Sequence, residues 1–296
     1  MKYLFYPGCS LKSTAVEYES SSMTVMRELG VDLAELPDWN CCGATVASGA
    51  NYLLSLALPA RNLALAEQAE SDLVAACSGC FLNLVRAKHE TQQSPATREK
   101  VNTILAEAGV QYYGTTRVRH LLDVVVSDVG LEAVSERVRR SLEGVRVAPY
   151  YGCQIVRPYA EFDDPADPVF MDRLIAGLGA EAVPYPLKTA CCGGVLTTTK
   201  RDVALKLVGD LMAAARDADC IVTVCPLCQL NLDLWQAEAG RRLRVEFNIP
   251  VLYFTQLMGL AFGLPESELG LSRHIVSTAS LVEKVAAVPM VATPGG

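Results

Sequence analysis

Ten of the eleven cysteines form one pattern that occurs twice in the chain. Each copy has a lone cysteine, then an adjacent pair followed by glycine, then a CxxC motif. The ten residues are Cys9, Cys41, Cys42, Cys77 and Cys80 in the first copy, and Cys153, Cys191, Cys192, Cys225 and Cys228 in the second. Matching positions lie roughly 144 to 150 residues apart. A near-constant offset of this kind is typical of a duplicated domain.

Five thiols in each copy indicate a metal site. Thiolates bind zinc and iron–sulfur clusters, and a CxxC motif alone also occurs in thioredoxin-like redox sites. A structural zinc ion takes four ligands and a thioredoxin-like site needs one dithiol, so both leave cysteines in each copy without a role. Iron–sulfur chemistry uses all five thiols and is the preferred hypothesis. The alternative is a protein whose fold is stabilised by structural zinc ions and which has no redox function.

The composition of the chain argues against two classes of binding partner, nucleic acids and anionic membranes. The chain has 296 residues and a net charge of −7, with no run of basic residues. An acidic chain of this kind is poorly suited to nucleic acid or to an anionic membrane surface. The N-terminus lacks a signal-peptide pattern, and the longest apolar stretch, 251–264, is too short to span a bilayer. We therefore expect a cytoplasmic protein without a transmembrane segment, in which clustered thiols stay reduced.

Strands alternate with helices in both halves, and the cysteines follow the strands. The predicted strands are 2–6, 31–36, 72–76, 145–150, 182–185 and 220–224; the predicted helices are 14–29, 51–70, 81–90, 168–178, 200–216 and 229–239, with more helices between about 100 and 140. This pattern predicts an α/β fold of two tandem, duplicated domains, each a small parallel sheet flanked by helices. A break at 141–144 sets the domains at 1–144 and 145–296. The ten cysteines then lie beyond the carboxyl ends of strands, where sites form in such sheets.

Residues outside the cysteine pattern receive separate predictions. Cys220 has no counterpart in the first copy and is expected to be a buried strand thiol. Asn83 and Asn231 follow the two CxxC motifs at the same distance, and are expected to bond either cluster sulfur, the neighbouring cysteine loop or the start of their own helix. The recurring glycines are expected to give the cysteine turns room or a positive φ: Gly8, Gly43, Gly152 and Gly193.

The three histidines and two of the arginines are mostly not expected to take part in the reaction. We expect His89 and His120 on solvated, polar helix faces. His274 is expected to be structural, with proton donation as its alternative role. Arg61 and Arg157 are expected to be surface residues, with contact to an anionic substrate as the alternative.

The residues that flank the cysteines indicate a particular protein family more specifically than the cysteine spacing does. The segments YPGCSLKSTAVEY (6–18), PDWNCCGA (37–44), PARNLALA (59–66) and LGLSRH (269–274) resemble the B subunit of heterodisulfide reductase. The lone cysteine, Cys-Cys-Gly and CxxC together resemble the cysteine-rich CCG domain of that family. The resemblance extends over nearly the whole chain and covers both copies.

The resemblance implies two non-cubane iron–sulfur clusters, one per CCG domain, each held by the five cysteines of its copy. It also implies an iron–sulfur oxidoreductase that reductively cleaves a disulfide, or a related sulfur–sulfur bond, between the two clusters. That disulfide would be a small molecule or protein-bound.

The resemblance also implies partners within a multisubunit complex. They are the ferredoxin-like iron–sulfur C subunit, together with the flavin-containing A subunit. This chain has no GxGxxG motif after a strand, so no flavin or nicotinamide site is predicted in it. Electrons must therefore reach the chain from another protein.

A second function is compatible with the same cysteine pattern. CCG domains also occur in the iron–sulfur components of lactate, glycolate and glycerol-phosphate dehydrogenases, which pass electrons toward quinone. The segments around Cys9 and Cys41 favour the disulfide reductase, although the cysteine spacing alone does not separate the two.

Overall fold

A computed structural model describes residues 1–44 and 46–290 of the chain. It contains two four-stranded parallel sheets with the same topology, in the orders β2-β1-β3-β4 and β6-β5-β7-β8. The strands are β1 (Lys2–Tyr6), β2 (Asp32–Glu35), β3 (Leu73–Ala75), β4 (Val118–His120), β5 (Arg146–Tyr150), β6 (Glu181–Ala182), β7 (Cys220–Thr223) and β8 (Val251–Tyr253). The predicted α/β fold, with one small parallel sheet per half, is confirmed.

Helices flank both sheets. In the first half they are α1 (Gly8–Leu11), α2 (Val16–Glu28), α3 (Ala47–Ala50), α4 (Tyr52–Gln68), α5 (Ser78–Gln93), α6 (Pro95–Ala106), α7 (Leu121–Asp123) and α8 (Leu131–Glu136), with a π-helix at Val124–Gly130. In the second half they are α9 (Phe170–Gly177), α10 (Arg201–Ala214), α11 (Pro226–Leu243), α12 (Phe254–Ala261), α13 (Glu266–Leu269) and α14 (Ala279–Ala286). Among the described residues, none of these helices combines the length and the apolar character that a membrane crossing requires.

Local signals explain several helix boundaries. The side chain of Asn51 accepts a hydrogen bond from the Leu54 backbone N–H and so caps α4. Pro59, for which the sequence allows either a kink or the start of a new helix, lies inside α4. In α6 the Ser94 side chain caps the helix and proline follows at the first helical position, where its missing N–H costs nothing.

The fourth strand of each sheet, β4 or β8, is not predicted by the sequence. Both have only three residues, too few to show a period of two. The prediction of helices throughout 100–140 is wrong at β4, and so is the prediction that His120 is solvated. His120 is fully buried at the end of β4, between Phe81 and Phe162.

The two halves share one core, because each sends an aromatic side chain into the other. Tyr18 of α2 stacks on Tyr253 at the end of β8, with ring centroids 3.9 Å apart. Phe162 of the second half stacks on His120 at the end of β4, at 6.2 Å. Helices α12 and α13 also pack against α2, and one apolar cluster contains residues from both sheets. The predicted end of the second domain, residue 296, lies outside the described residues.

Burial of His120 leads to a prediction about acid stability. Burial lowers the pKa of His120 to about 4, whereas the unfolded chain binds this proton near pH 6.5. Between these values the unfolded state carries the extra proton, so stability falls as the pH falls, by up to about 1.4 kcal/mol per pH unit for this group. His120→Asn removes the titrating ring and keeps an acceptor for the Leu122 N–H, which His120 Nδ1 caps at 3.1 Å.

Denaturant titrations at pH 7, 6 and 5 check this prediction. Native protein is expected to lose stability more steeply than His120→Asn below pH 6.5, while the two profiles run parallel above pH 7. Parallel profiles throughout would show that His120 does not contribute to the acid sensitivity.

Candidate metal centres

Both CxxC motifs begin a helix directly after a strand. Cys77 is the N-cap residue of α5 after β3, and Cys225 is the N-cap residue of α11 after β7. The second cysteine of each motif, Cys80 or Cys228, lies in the first turn and is buried. The positive end of the helix dipole and the free N–H groups of this turn favour thiolates over thiols.

The lone cysteines follow β1 and β5 at turns that require glycine. Gly8 and Gly152 precede them with φ of 66° and 73°, a region that favours glycine. A Cβ on Gly8 would lie 2.9 Å from Cys80 Sγ, and one on Gly152 would lie 3.4 Å from Cys228 Sγ. The positive φ therefore favours glycine at both positions, and at Gly8 a side chain would also collide with sulfur, so the prediction for these two residues is confirmed.

The adjacent cysteine pairs lie in loops whose backbone N–H groups point at sulfur. Gly43 and Gly193 both have positive φ, as predicted. Gly43 N donates to Cys41 Sγ at 3.5 Å, and Gly193 N donates to Cys191 Sγ at 3.3 Å. Each copy thus offers hydrogen-bond donors to its own sulfur atoms, an arrangement suited to an anionic group.

Arginine side chains hold the turns that lead into these pairs. Arg61 forms an ion pair with Asp38 and donates to Asn40 Oδ1 at 3.2 Å. Arg157 Nη2 donates to the carbonyl of Thr189 at 2.5 Å. The described contacts of both arginines support the cysteine loops rather than the alternative of binding an anionic substrate.

Two tyrosines have a role that sequence analysis missed. Tyr6 Oη donates to the Asn40 carbonyl, and Tyr150 Oη donates to the Ala190 carbonyl, both at 2.8 Å. Each of these carbonyls directly precedes a cysteine pair, so each tyrosine fixes the pair to the end of its own central strand. The repeated motif Tyr-x-Gly-Cys contained this information, since both tyrosines end a strand at the same distance from the lone cysteine.

The thiols of the first copy are close neighbours. Cys42 Sγ lies 3.5 Å from Cys80 Sγ. Hydrogen bonds from the thiols of Cys41 and Cys80 lower the pKa of Cys42 to about 3, and the same contact with Cys42 raises the pKa of Cys41. Burial raises the pKa of Tyr6, as do the charges of Cys80, Cys42, Cys41 and Cys9. Four of the five predicted ligands of the first copy therefore lie near Tyr6 at the carboxyl end of β1: Cys9, Cys41, Cys42 and Cys80.

The thiols of the second copy are also close neighbours, although the lone cysteine rather than the other member of the pair contacts Cys191. A hydrogen bond with Cys153 lowers the pKa of Cys191 to about 6. Contact with Cys192 is the largest cause that raises the pKa of Cys228, and contact with Cys225 follows. Contact with Cys191 in turn raises the pKa of Cys153, because charge on both adjacent thiols would be repulsive.

The two copies meet at their CxxC motifs. A hydrogen bond with Cys225 is the largest cause that raises the pKa of Cys77. Tyr18 Oη donates to the carbonyl of Ala76 at 3.0 Å and lies 3.5 Å from that of Val224. It therefore ties together the residues that directly precede these two cysteines. The first cysteine of each motif thus lies where the two halves of the chain contact each other, a region that we call the seam.

The donor set fits a polynuclear iron–sulfur group. Within residues 1–44 and 46–290, no three His, Cys, Asp or Glu side chains come close enough to enclose a single metal ion. The described sulfur atoms instead neighbour each other in pairs, as Cys42 and Cys80 do at 3.5 Å, and five soft thiolate donors per copy suit a group with several iron atoms better than one four-coordinate zinc ion. Five thiolates also need a cationic core, since in its absence neighbouring thiols retain protons.

The remaining candidates lie away from the sulfur atoms or support them. Cys220 is fully buried in β7, as predicted. The His274 side chain is buried and bonded to the amides of Gln229 and Gln256, both at 3.0 Å. Burial lowers the pKa of His274 to about 4, so the ring is neutral at pH 7. These contacts favour the structural role, in which His274 fixes the segment after α13 to α11.

Comparisons with known proteins agree with this geometry. A family model described as the cysteine-rich domain CCG matches residues 3–85 and 147–233. A membrane anchor subunit of 8-methylmenaquinol:fumarate reductase from Wolinella succinogenes is 36% identical, covering 95% of this chain and 99% of that protein. An Archaeoglobus profundus protein, named as similar to the B subunit of heterodisulfide reductase, is 34% identical, covering 92% and 94%.

Two further relatives extend the comparison. The B subunit of a ferredoxin/F(420)H(2)-dependent CoB-CoM heterodisulfide reductase from Methanosarcina acetivorans is 31% identical, over 96% of this chain and 97% of that one. A crystal structure of a hypothetical protein from Helicobacter pylori superposes with a TM-score of 0.72 at 16% identity, over 93% of this chain and 52% of that one. That structure shows a shared fold only. The chain therefore belongs to the cysteine-rich CCG domain family and is a relative of the B subunit of heterodisulfide reductase.

Proposed function

We propose that this chain is the catalytic B subunit of a heterodisulfide-reductase-type complex and reductively cleaves a disulfide or a related sulfur–sulfur bond. The observation that carries the proposal is that Cys77 and Cys225 are neighbours at the seam, where Ser78 Oγ donates to the Val224 carbonyl at 3.4 Å. Because the two five-cysteine sets adjoin there, sites in both halves can act on the two ends of one S–S bond. The relatives named for the B subunit of heterodisulfide reductase support the same function.

The proposed cofactors are two non-cubane iron–sulfur clusters, one in each five-cysteine set. When bound, they would supply the two electrons in R–S–S–R′ + 2 e⁻ + 2 H⁺ → R–SH + R′–SH. The ten cysteines hold these groups as thiolates, and Gly8 and Gly152 leave room for sulfur beside the strand ends. Tyr6 and Tyr150 keep the cysteine pairs in register with the central strands.

The proposed partners follow from the same function. A protein that splits a disulfide by reduction needs an electron donor. We assign this role to the ferredoxin-like C subunit, together with the flavin-containing A subunit, of the same complex. The domain boundary at 144/145 remains a prediction. It lies immediately before β5, where the second sheet begins.

A second function has one specific observation in its favour. The relative at 36% identity is named as part of a menaquinol:fumarate reductase. A chain of this kind would pass electrons between quinol and a partner protein and would leave disulfides unchanged. In that case the two cysteine sets would act as successive electron carriers.

Anaerobic turnover separates these functions. Purified complex is reduced with a dye donor and offered the CoB-CoM heterodisulfide, other small disulfides, or a menaquinone analogue. Disulfide cleavage predicts dye oxidation that depends on the disulfide and yields two thiols for each bond split. The carrier function predicts reoxidation by the quinone analogue and dye oxidation that is equally fast with or without a disulfide, and this result would overturn the proposal.

A further inference from the structure

Among the described residues, the two copies differ in a side-chain amide that donates to sulfur. Asn83 and Asn231 occupy equivalent positions, three residues after the second cysteine of each CxxC motif, on α5 and α11. Asn83 Nδ2 points at Cys42 Sγ, at 3.8 Å. Asn231 Nδ2 instead donates to the Cys192 carbonyl, at 2.7 Å. The same residue type therefore contacts a sulfur atom in one half and the backbone in the other.

The backbone donors to the two adjacent cysteine pairs are matched between the copies, so they do not account for this difference. Gly43 and Gly193 donate to the first cysteine of each pair. Gly194 N donates to Cys192 Sγ at 3.4 Å, and the Ala44 N–H plays the same part for Cys42. Within the part of the chain that the structure describes, Cys42 is the pair cysteine with an additional side-chain amide donor, and it is 2% exposed, so little water competes for its sulfur.

We infer that Asn83 raises the reduction potential of the metal centre in the first half relative to that in the second half, and that Asn231 positions the backbone of its loop. The inference rests on the proposed iron–sulfur function. An N–H donor stabilises negative charge on a thiolate ligand, and reduction adds negative charge to the centre. Hydrogen bonds to sulfur are among the factors that set the potentials of iron–sulfur centres. The first centre is thus the one that holds an electron more readily.

The test is an anaerobic redox titration of the iron-replete complex, followed by electron paramagnetic resonance. The two centres are assigned with Cys41→Ser and Cys191→Ser, each of which leaves one copy intact. Asn83→Leu keeps the approximate volume and removes the donor. At a fixed potential it is expected to reduce the ratio of reduced to oxidised first centre by about tenfold, the usual effect of losing one hydrogen bond to a charged group, with the second centre unchanged. Asn83→Asp adds a negative charge and is expected to shift the ratio further in the same direction.

Asn231→Leu is the matched control. It is expected to loosen the second cysteine loop and lower iron retention there, without the shift in the first centre. The inference is overturned if Asn83→Leu retains its iron and leaves both potentials unchanged, or if Asn231→Leu shifts the second centre by the same factor. Loss of iron from the first centre in both Asn83 variants would also overturn it, because Asn83 would then be a structural residue. Wild-type protein without iron would instead refute the proposed function itself.

Discussion

Cys41→Ser, purified without oxygen, is expected to contain about half the iron and acid-labile sulfide of the wild type, on the basis of one cluster per five-cysteine set. Serine is a poor substitute for a thiolate ligand, and the Cys41 thiol contacts Cys42 within its own copy. The second copy keeps all of its thiols, so its spectroscopic signal is expected to persist. Cys191→Ser is expected to give the reciprocal result, with the signal of the first copy retained.

Cys220→Ser is the control for both variants. Cys220 is buried in β7 and lies outside the repeated pattern, so its replacement is expected to leave the iron content unchanged, although burial of the hydroxyl costs some stability. Disulfide-dependent turnover is expected to be lost in both cluster variants, because the proposed reaction needs a centre at each end of the S–S bond. Full iron content in Cys41→Ser and Cys191→Ser would show that the ligand assignment is wrong.

Tyr18→Ala is expected to destabilise the protein by about 3–5 kcal/mol, the usual cost of deleting a large buried aromatic side chain. Tyr18 is fully buried, stacks on Tyr253 across the seam and bonds the carbonyl of Ala76. The loss would therefore separate the strand ends that carry Cys77 and Cys225. Iron retention is expected to fall in parallel.

Tyr18→Phe is the matched control, because it keeps the ring and removes only the hydroxyl. Its expected cost is about 1 kcal/mol, the net value of a hydrogen bond. Chemical denaturation followed by circular dichroism measures both variants. Equal destabilisation by the two substitutions would mean that the stack between the halves contributes little, and the seam would then need another explanation.

The sequence predicts the duplicated part of the fold well, because the same pattern of strands followed by cysteines occurs in both copies and each copy supports the other. The strands before the CxxC motifs, β3 and β7, combine a buried apolar run with a following cysteine, and both are predicted. The fourth strands, β4 and β8, are missed because no motif cysteine follows them and because each has only three residues. The predicted start of α11 is also wrong. The helix begins at Pro226, and α5 likewise begins at Ser78 rather than at 81, because Cys225 and Cys77 are the N-cap residues and both helices start inside the CxxC motif.

The contacts between the halves cannot be predicted from the sequence. No spacing rule brings Tyr18 to Tyr253, or His120 to Phe162, since these pairs join elements far apart in the chain. The polar pattern around His120 favours a helix, and tertiary packing overrides it. The type and grouping of the ten cysteines are visible in the sequence, whereas the contact of Cys77 with Cys225 requires the fold.

Metal analysis of the anaerobically purified wild-type protein tests the central claim most directly. Iron, acid-labile sulfide and zinc are measured together in one sample. Two clusters with roughly four iron and four sulfide each, the [4Fe–4S] composition, predict about eight iron and about eight sulfide per chain, with zinc at trace level. About one zinc per copy with no sulfide would contradict the claim that the five-cysteine sets hold iron–sulfur clusters.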